Sequence, residues 1–220
     1  GGGGWAPGGI SEKELSAIRR ESLRKACATL GIQRLEFFEE RSRLPFCLNG
    51  KNYTAVIDQH RQWVMDLIGD ISPDAVITFG PEGLTGHATH IMVGSMTTQA
   101  VLLSQVQPHL YYSAFSRGQT TAILEWFKEN SIVADHYAAE VRVKPNLGSE
   151  LPQLFSVPDS VITTIIDISS VICLKQQAWR CHSTQGGGGR VLDAFGANLT
   201  ESFVRVLPKM PPGTPIETEL

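Results

Sequence analysis

Residues 75–90 have the sequence AVITFGPEGLTGHATH, which gives the strongest indication of the fold class. The run from Ala75 to Phe79 is almost continuously apolar, which predicts a β-strand buried on both faces. A glycine-rich loop follows, and a helix is predicted from about His87 to Gln105. In doubly wound sheets ligands bind at the carboxyl ends of strands, so this loop is the first candidate for a functional site.

The segments on either side continue an alternation of helices and strands. Ser11 and Glu14 form a capping box that begins a helix ending at Gly31, and a second helix is predicted over residues 53–68. Further strands are predicted over residues 34–38, 109–115, 139–143, 161–168 and 201–207, and further helices over residues 121–130 and 169–182. This order predicts an α/β fold with a mostly parallel sheet and helices on both faces.

The composition argues against several classes of protein. Hydrophobic residues make up 42% of the 220 residues, which is enough to bury a core. Lys and Arg number 19 against 22 Asp and Glu, and a net charge of −3 argues against nucleic acid as a partner. No apolar run is long enough to span a membrane, and the four cysteines form no CxxC pair, which favours reduced thiols and a cytoplasmic location.

The two ends of the chain indicate domain limits. The first residues, GGGGWAPGG, lack an initial Met and the features of a signal peptide, so we expect a processed or truncated N-terminus without its targeting region. Residues 10–207 are predicted to form one N-terminally incomplete domain, followed by an extended Pro-rich tail at residues 208–220. Glycine runs at residues 1–4 and 186–189 are expected to mark truncated or replaced segments.

Two histidines, His87 and His90, follow the loop at a spacing of three residues. On a helix this spacing puts both on one face, where they can address one metal ion or one substrate atom. The predicted helix N-terminus adds a partial positive charge suited to a developing oxyanion. On spacing alone, one exposed and one capping histidine is an equally favoured interpretation.

The block TFGPEGLTGHATH at residues 78–90 resembles the T-F-G-P-x-G-x-T-G-H-P-D-H block of the zinc-dependent N-acetylglucosaminyl deacetylases, the LmbE-like or PIG-L family. The segment IRRESL at residues 18–23, followed by LGI and LEFF, is similar to the family's Arg-rich helix, turn and strand. Lys175 to Gln185 resembles its late helix, so the likeness extends over about residues 10–207. It implies a Rossmann-like fold and a hydrolase that acts on a small-molecule amino-sugar conjugate.

The resemblance also implies roles for four residues. His90 would be a zinc ligand, and His87 would remain off the metal and steady an oxyanion or protonate the leaving amine. Arg19 and His182 would lie near the substrate. For Arg19 a solvated helix face is the alternative, and for His182 an interaction with a helix dipole.

The sequence departs from the family pattern in two places that matter for chemistry. The family's H-P-D-D-E motif, which supplies two more zinc ligands and the general base, does not occur in the 220 residues. Ala88 and Thr89 stand where the family has Pro and Asp. Catalytic zinc generally needs three protein ligands, so we expect impaired hydrolysis by this chain. The alternative is a metal-less, degenerate module that binds a sugar or a partner.

Overall fold

The structure, a computed structural model, describes residues 10–38, 53–86, 88–129, 156–182, 184 and 199–220. Its helices are α1 (Glu12–Thr29), α2 (Tyr53–Ile71), α3 (Gly83–Gly86), α4 (Ala88–Leu103), α5 (Arg117–Glu129) and α6 (Ile172–Arg180), with 3-10 turns at Asp159–Val161 and Ser169–Val171. Its strands are β1 (Ala75–Phe79), β2 (His109–Ala114), β3 (Thr164–Asp167) and β4 (Thr200–Leu207). The α/β class is confirmed. Every helix in the described ranges is too short or too polar to span a bilayer.

The larger of two compact units, called the sheet unit below, comprises residues 37–122, 143–166 and 201–220. The strands have the order β1-β2-β4-β3. β1 and β2 are parallel, with Ala75 opposite His109 and Phe79 opposite Ser113, whereas β2 and β4 are antiparallel. The described sheet is therefore mixed, where the sequence predicted a mostly parallel one, because β4 enters beside β2 in the opposite direction.

The core of the sheet unit lies where α2 and α4 pack on each other and on the strands. Its centre consists of residues that are at most 4% exposed, namely Ile68, Ala100, Val101 and Leu110. Gly94 of α4 is buried against β1, and a Cβ at this position would run into the carbonyl oxygen of Phe79. The absence of a side chain at Gly94 therefore lets α4 lie directly on the end of β1.

The smaller unit, called the helical unit below, comprises residues 1–36, 123–142 and 167–200, and in its described part α1 packs against α6. The predicted capping box is confirmed, because the Ser11 hydroxyl accepts from the Glu14 N–H and the Glu14 carboxylate accepts from the Ser11 N–H at 3.0 Å. The buried face of α1 carries Leu15, Ser22, Ala26 and Cys27. Cys27, Cys173 and Cys181 are free thiols.

Several predicted strands differ from the structure. Residues 34–38 form no strand: Arg34 and Glu36 pair at 2.9 Å and are partly exposed, and Phe38 stacks on His60 of α2 instead. The strand predicted over residues 161–168 is shortened to β3, since a 3-10 turn precedes it. β1 is not buried on both faces, because it is the end strand of the described sheet and Ile77 is 49% exposed. The predicted strand at residues 139–143 and both glycine runs lie outside the described residues.

The Pro-rich tail folds back onto β3 rather than extending away. The Glu217 N–H donates to the Thr163 carbonyl at 2.8 Å, and the Ile165 N–H donates to the Glu217 carbonyl at 2.9 Å. The Glu217 carboxylate accepts from the Thr164 hydroxyl at 2.7 Å, from the Tyr111 hydroxyl at 3.3 Å and from the Arg205 guanidinium. This tail network ties the last residues of the chain to three strands of the sheet unit.

Candidate functional site

The candidate site of the sheet unit begins where β1 ends at Phe79. The chain then forms two tight turns, in which the Gly83 N–H donates to the Gly80 carbonyl at 2.9 Å and the Gly86 N–H donates to the Glu82 carbonyl at 3.0 Å. α4 begins immediately afterwards, at Ala88. The strand, loop and helix predicted from the sequence are therefore present, and the loop lies at the carboxyl end of β1.

The loop has an unusual backbone at Gly83 and Leu84, with φ angles of 64° and 62°. Left-handed backbone is free of steric cost only for glycine, and it is rare for leucine. At Gly83 a Cβ would also lie 2.7 Å from Cγ1 of Ile91, which is closer than packed atoms approach. Strained backbone of this kind persists where the surroundings hold it, and such positions cluster at functional sites.

Two of the contacts that hold His90 are with described residues and lie in perpendicular directions. Its ring lies flat on that of Phe79, with centroids 4.1 Å apart and planes inclined by 2°. In the plane of the ring, Nδ1 lies 3.0 Å from the carbonyl oxygen of Gly83. Because a carbonyl only accepts, Nδ1 carries the proton of this hydrogen bond, and the lone pair of the neutral ring is then on Nε2.

His87, the second histidine of the predicted pair, lies outside the described residues. Its chain neighbours are Gly86, which has a φ of 70°, and Ala88, the first residue of α4. Within the ranges that the structure describes, no group of three His, Cys, Asp or Glu side chains is arranged to hold a metal ion. Of the predicted metal and catalytic residues, His90 and His87, the structure thus describes the surroundings of His90 only.

Arg19 and His182, the predicted substrate-binding residues, belong to the helical unit. Arg19 is in the middle of α1 and is partly buried, three residues before the buried Ser22. His182 follows the end of α6, where its backbone N–H donates to the Trp179 carbonyl at 2.9 Å. Burial lowers the pKa of the His182 imidazole, which favours the neutral ring.

Sequence reasoning did not assign roles to Phe79 and Gly83, although both belong to the quoted block. The sequence signal was Gly83, three residues after the pair Phe79-Gly80. Such a spacing predicts a turn, but it does not predict which side chain the turn contacts.

A cavity of about 300 Å³ between α2 and α4 was not predicted either. Its lining is mostly apolar and consists of Ile57, Ala88, Ile91, Met92, Ser95, Met96 and Gln99.

Comparisons with known proteins agree with one another. A family model described as PIG-L: GlcNAc-PI de-N-acetylase matches residues 2–101, a range that includes β1 and His90. A 1D-myo-inositol 2-acetamido-2-deoxy-alpha-D-glucopyranoside deacetylase of Actinosynnema mirum is 31% identical over 193 residues, which cover 80% of this chain and 64% of that protein. Proteins of the same name from Rhodococcus jostii and Saccharomonospora viridis are 30% and 32% identical over 56% of this chain. The chain spans 41% of the length of each of these two.

Proposed function

We propose, on the premise that this chain belongs to the PIG-L family, that it is a hydrolase of the type that removes the acetyl group from an N-acetylglucosamine conjugate, with hydrolysis impaired in the 220-residue chain. The relatives are named as deacetylases of an inositol-linked 2-acetamido sugar, and we propose an amino-sugar conjugate of that class as substrate. The observation that carries the proposal is the hydrogen bond from His90 to the Gly83 carbonyl. A Rossmann-like arrangement of the whole domain and a cytoplasmic location are part of the same proposal.

The hydrogen bond at His90 supports its proposed role as a zinc ligand. Histidines that bind metal through one ring nitrogen commonly donate the other N–H to a carboxylate or a backbone carbonyl. His90 donates Nδ1–H to Gly83, so Nε2 is the donor atom that we assign to the metal. A zinc ion held there would lower the pKa of a bound water molecule and polarise the acetamide carbonyl. His90 is the one ligand assigned here, because the described residues contain no three-ligand group.

His87 is proposed to act on the substrate as a proton donor. It directly precedes α4, and a helix N-terminus stabilises nearby negative charge. An imidazolium in this place would steady the oxyanion that forms when a water molecule attacks the acetamide carbonyl. The proton of that water would pass to the general base of the family's H-P-D-D-E motif, which this sequence lacks. As the C–N bond breaks, the same group would protonate the sugar nitrogen, which leaves as an amine while the acetyl group becomes acetate.

Arg19 and His182 are proposed to bind the sugar conjugate. The guanidinium of Arg19 is permanently charged and offers several N–H donors to hydroxyl oxygens. His182 has a lowered pKa because it is partly buried, so it would hydrogen-bond hydroxyl groups as a neutral ring near pH 7. Both residues would affect binding more than the chemical step.

The second candidate function is a metal-less module that binds a sugar or a partner. It is favoured by Ala88 and Thr89, which replace the Pro and Asp of the family block. An Asp beside a catalytic histidine can orient the ring and stabilise its charged form, whereas Thr89 carries no charge.

The experiment measures acetate release from an N-acetylglucosaminyl-inositol substrate with added zinc. It compares the 220-residue chain with a fusion that carries an H-P-D-D-E segment from a family member. We expect little release from the chain and clear release from the fusion. We expect His90→Gln to lower the fusion's rate by more than about a hundredfold, and His109→Gln, a matched control on β2, to leave it within about twofold.

Zinc content and a further variant separate the two candidate functions. With one assigned ligand, the purified chain should hold well below one zinc per molecule, and a full equivalent of tightly held zinc would contradict this assignment. If the fusion releases no acetate but the added replacements Ala88→Pro and Thr89→Asp restore it, the degenerate module is supported. If the fusion releases no acetate, with or without the two replacements, the deacetylase proposal is wrong.

A further inference from the structure

We infer that Phe79 and Gly83 are positioning residues, which together set the ring plane of His90 and select the neutral tautomer with its lone pair on Nε2. This inference deepens the proposed function and rests on it only where Nε2 is given a zinc ion to hold. The geometry itself is a property of the chain without metal or substrate. It uses one contact on the face of the imidazole and one in its plane.

The contact in the plane depends on the backbone of Gly83. Its carbonyl reaches Nδ1 of His90 at 3.0 Å from a residue with a φ of 64°. Glycine adopts this conformation readily, and any other residue there would be strained. A Cβ would in addition lie 2.7 Å from Cγ1 of Ile91 and 3.3 Å from Cβ of His90. A methyl group at this position therefore requires Gly83 or Ile91 to shift, and we expect the carbonyl that selects the tautomer to move.

The contact on the face depends on Phe79. With a hydrogen bond at Nδ1 alone, the imidazole could still rotate about the axis of that hydrogen bond, because hydrogen-bond directions at a carbonyl are broadly distributed. The Phe79 ring lies 4.1 Å away at an inclination of 2° and restricts this rotation. Phe79 is itself the last residue of β1, paired in register with Ser113, and its carbonyl is packed against Gly94. A strand end thus fixes the plane in which Nε2 presents its lone pair.

The two contacts have different consequences when they are removed. Loss of the Gly83 carbonyl frees Nδ1 and allows the proton to move to Nε2, which is the nitrogen that would otherwise accept a metal. Loss of the Phe79 ring leaves the tautomer selected but widens the range of ring orientations. Gly83 is therefore expected to control where the proton resides, and Phe79 to control where the lone pair points.

The test is a long-range ¹H–¹⁵N correlation spectrum of the 220-residue chain labelled with ¹⁵N-histidine. It is recorded without metal at about pH 8, above the ordinary histidine pKa of about 6.5. The spectrum distinguishes protonated from unprotonated ring nitrogens, and the signals of His90 are those lost in His90→Gln. We expect an unprotonated Nε2 in the wild-type chain. In Gly83→Ala we expect both nitrogen shifts to move toward intermediate values, which indicate a mixture of tautomers.

Matched variants separate positioning from a general structural effect. Gly69→Ala in α2 is the control for Gly83→Ala, because a Cβ at Gly69 meets nothing within 4 Å, and it should leave the His90 signals unchanged. Phe79→Leu should broaden the signals while Nε2 stays unprotonated, and Phe79→Tyr, which keeps the stacked ring, should restore them.

A wild-type His90 that carries its proton on Nε2 would overturn the inference, whether or not the variants fold. So would a folded Gly83→Ala chain with wild-type nitrogen shifts. Because the spectrum needs neither zinc nor substrate, failure of the acetate assay would contradict the proposed deacetylase and leave this result intact.

Discussion

The loop at residues 80–86, called the His90 loop below because its Gly83 carbonyl holds His90, is shaped differently from the tail network around Glu217. The two lie at different places along β1 and β2. Phe79 is the last residue of β1, whereas His109, which contacts Arg205 at 3.1 Å, is the first residue of β2. The loop is shaped by backbone, through a positive φ, a carbonyl acceptor and a glycine contact between helix and strand. The tail network is made of side chains that are up to 106 residues apart in sequence.

This difference predicts two kinds of sensitivity. Where backbone packs on backbone, there is no space for an added methyl group. Removal of a charge should change the stability little there, because the contacts are made by backbone atoms. In the tail network the reverse holds, because a neutral side chain of the same shape fits while the hydrogen bonds to a carboxylate are weakened.

Gly94→Ala should give the largest effect. The new Cβ would run into the carbonyl oxygen of Phe79, and neither the helix nor the strand backbone can move away without disturbing its own hydrogen bonds. We expect the free energy of unfolding to fall by about 3 kcal/mol, at the upper end for overpacking of a core. Urea denaturation followed by circular dichroism measures this change.

Gly69→Ala is the matched control, since both glycines are in helices and a Cβ at Gly69 meets nothing within 4 Å. Alanine should raise stability there by about 0.4–1 kcal/mol, because it restricts the unfolded chain. If the two variants had similar stabilities, the close approach of α4 to β1 would not be a feature of the folded protein.

Glu217→Gln should give the next largest effect, a loss of about 2 kcal/mol at pH 7, typical of hydrogen bonds to a charged group. Burial raises the pKa of Glu217, but hydrogen bonds from Thr164 and Arg205, the charge of Arg205 and the Tyr111 hydroxyl outweigh it and hold the pKa below its ordinary value. The stability from the ionised carboxylate is therefore present above about pH 4.5 and is lost as the pH falls through the lower folded pKa.

The pH dependence provides the test of this second prediction. The wild-type chain should lose more stability than Glu217→Gln when the pH is lowered from 7 to 3, and the two unfolding curves should approach each other. Glu219→Gln, at an exposed position two residues away, is the control and should follow the wild type. A constant difference between wild type and Glu217→Gln at all pH values would mean that folding does not lower the pKa of Glu217.

The same contrast explains how far the sequence could predict the structure. Ser11, Gly31 and the apolar run Ala75–Phe79 act on their neighbours in the chain, and the elements they predict are present. The partners of Glu217 come from three strands, and nothing in the Pro-rich tail indicates that it returns to β3. The direction of β4 was missed for the same reason, because it depends on which strand lies beside it and not on its own pattern.

In the candidate site, residue types were predictable but their contacts were not. A block with two histidines after a strand indicates a site at the strand end, and β1 and α4 are found there. Neither the flat stack of Phe79 on His90 nor the acceptor at Gly83 follows from spacing, since both depend on a φ of 64° in the loop. The roles of His87, Arg19 and His182 remain predictions.

His60→Phe should have a smaller effect, and a stabilising one. His60 is 9% exposed and its ring stacks on Phe38 at 4.2 Å. Its Nδ1 is buried without a hydrogen-bond partner among the described residues. Phenylalanine keeps the stack and removes the unsatisfied nitrogen, so we expect a gain of about 1 kcal/mol at pH 7. His60→Leu, which loses the ring, should show no such gain.

Burial also lowers the pKa of His60, which adds a pH signature. The unfolded chain takes up a proton at His60 more readily than the folded one, so stability is complete above about pH 6.5 and falls as the pH drops through the folded pKa. The advantage of His60→Phe should therefore grow between pH 7 and pH 5. An advantage that is equal at both pH values would show that His60 is not held neutral by burial.

Ser11→Ala should give the smallest effect. It tests whether sensitivity to substitution depends on contacts between residues close in sequence or on burial. Like the His90 loop, the capping box is formed by residues close in sequence, with the Ser11 hydroxyl accepting from the Glu14 N–H at 3.3 Å. Unlike the loop, it is exposed, so water can replace the lost acceptor. We expect a lower helix content at α1 in amide hydrogen exchange with a small change in global stability, and Ser11→Asp, which retains an acceptor, should restore protection. A loss as large as that of Gly94→Ala would mean that local contacts, rather than backbone burial, determine how sensitive this fold is to substitution.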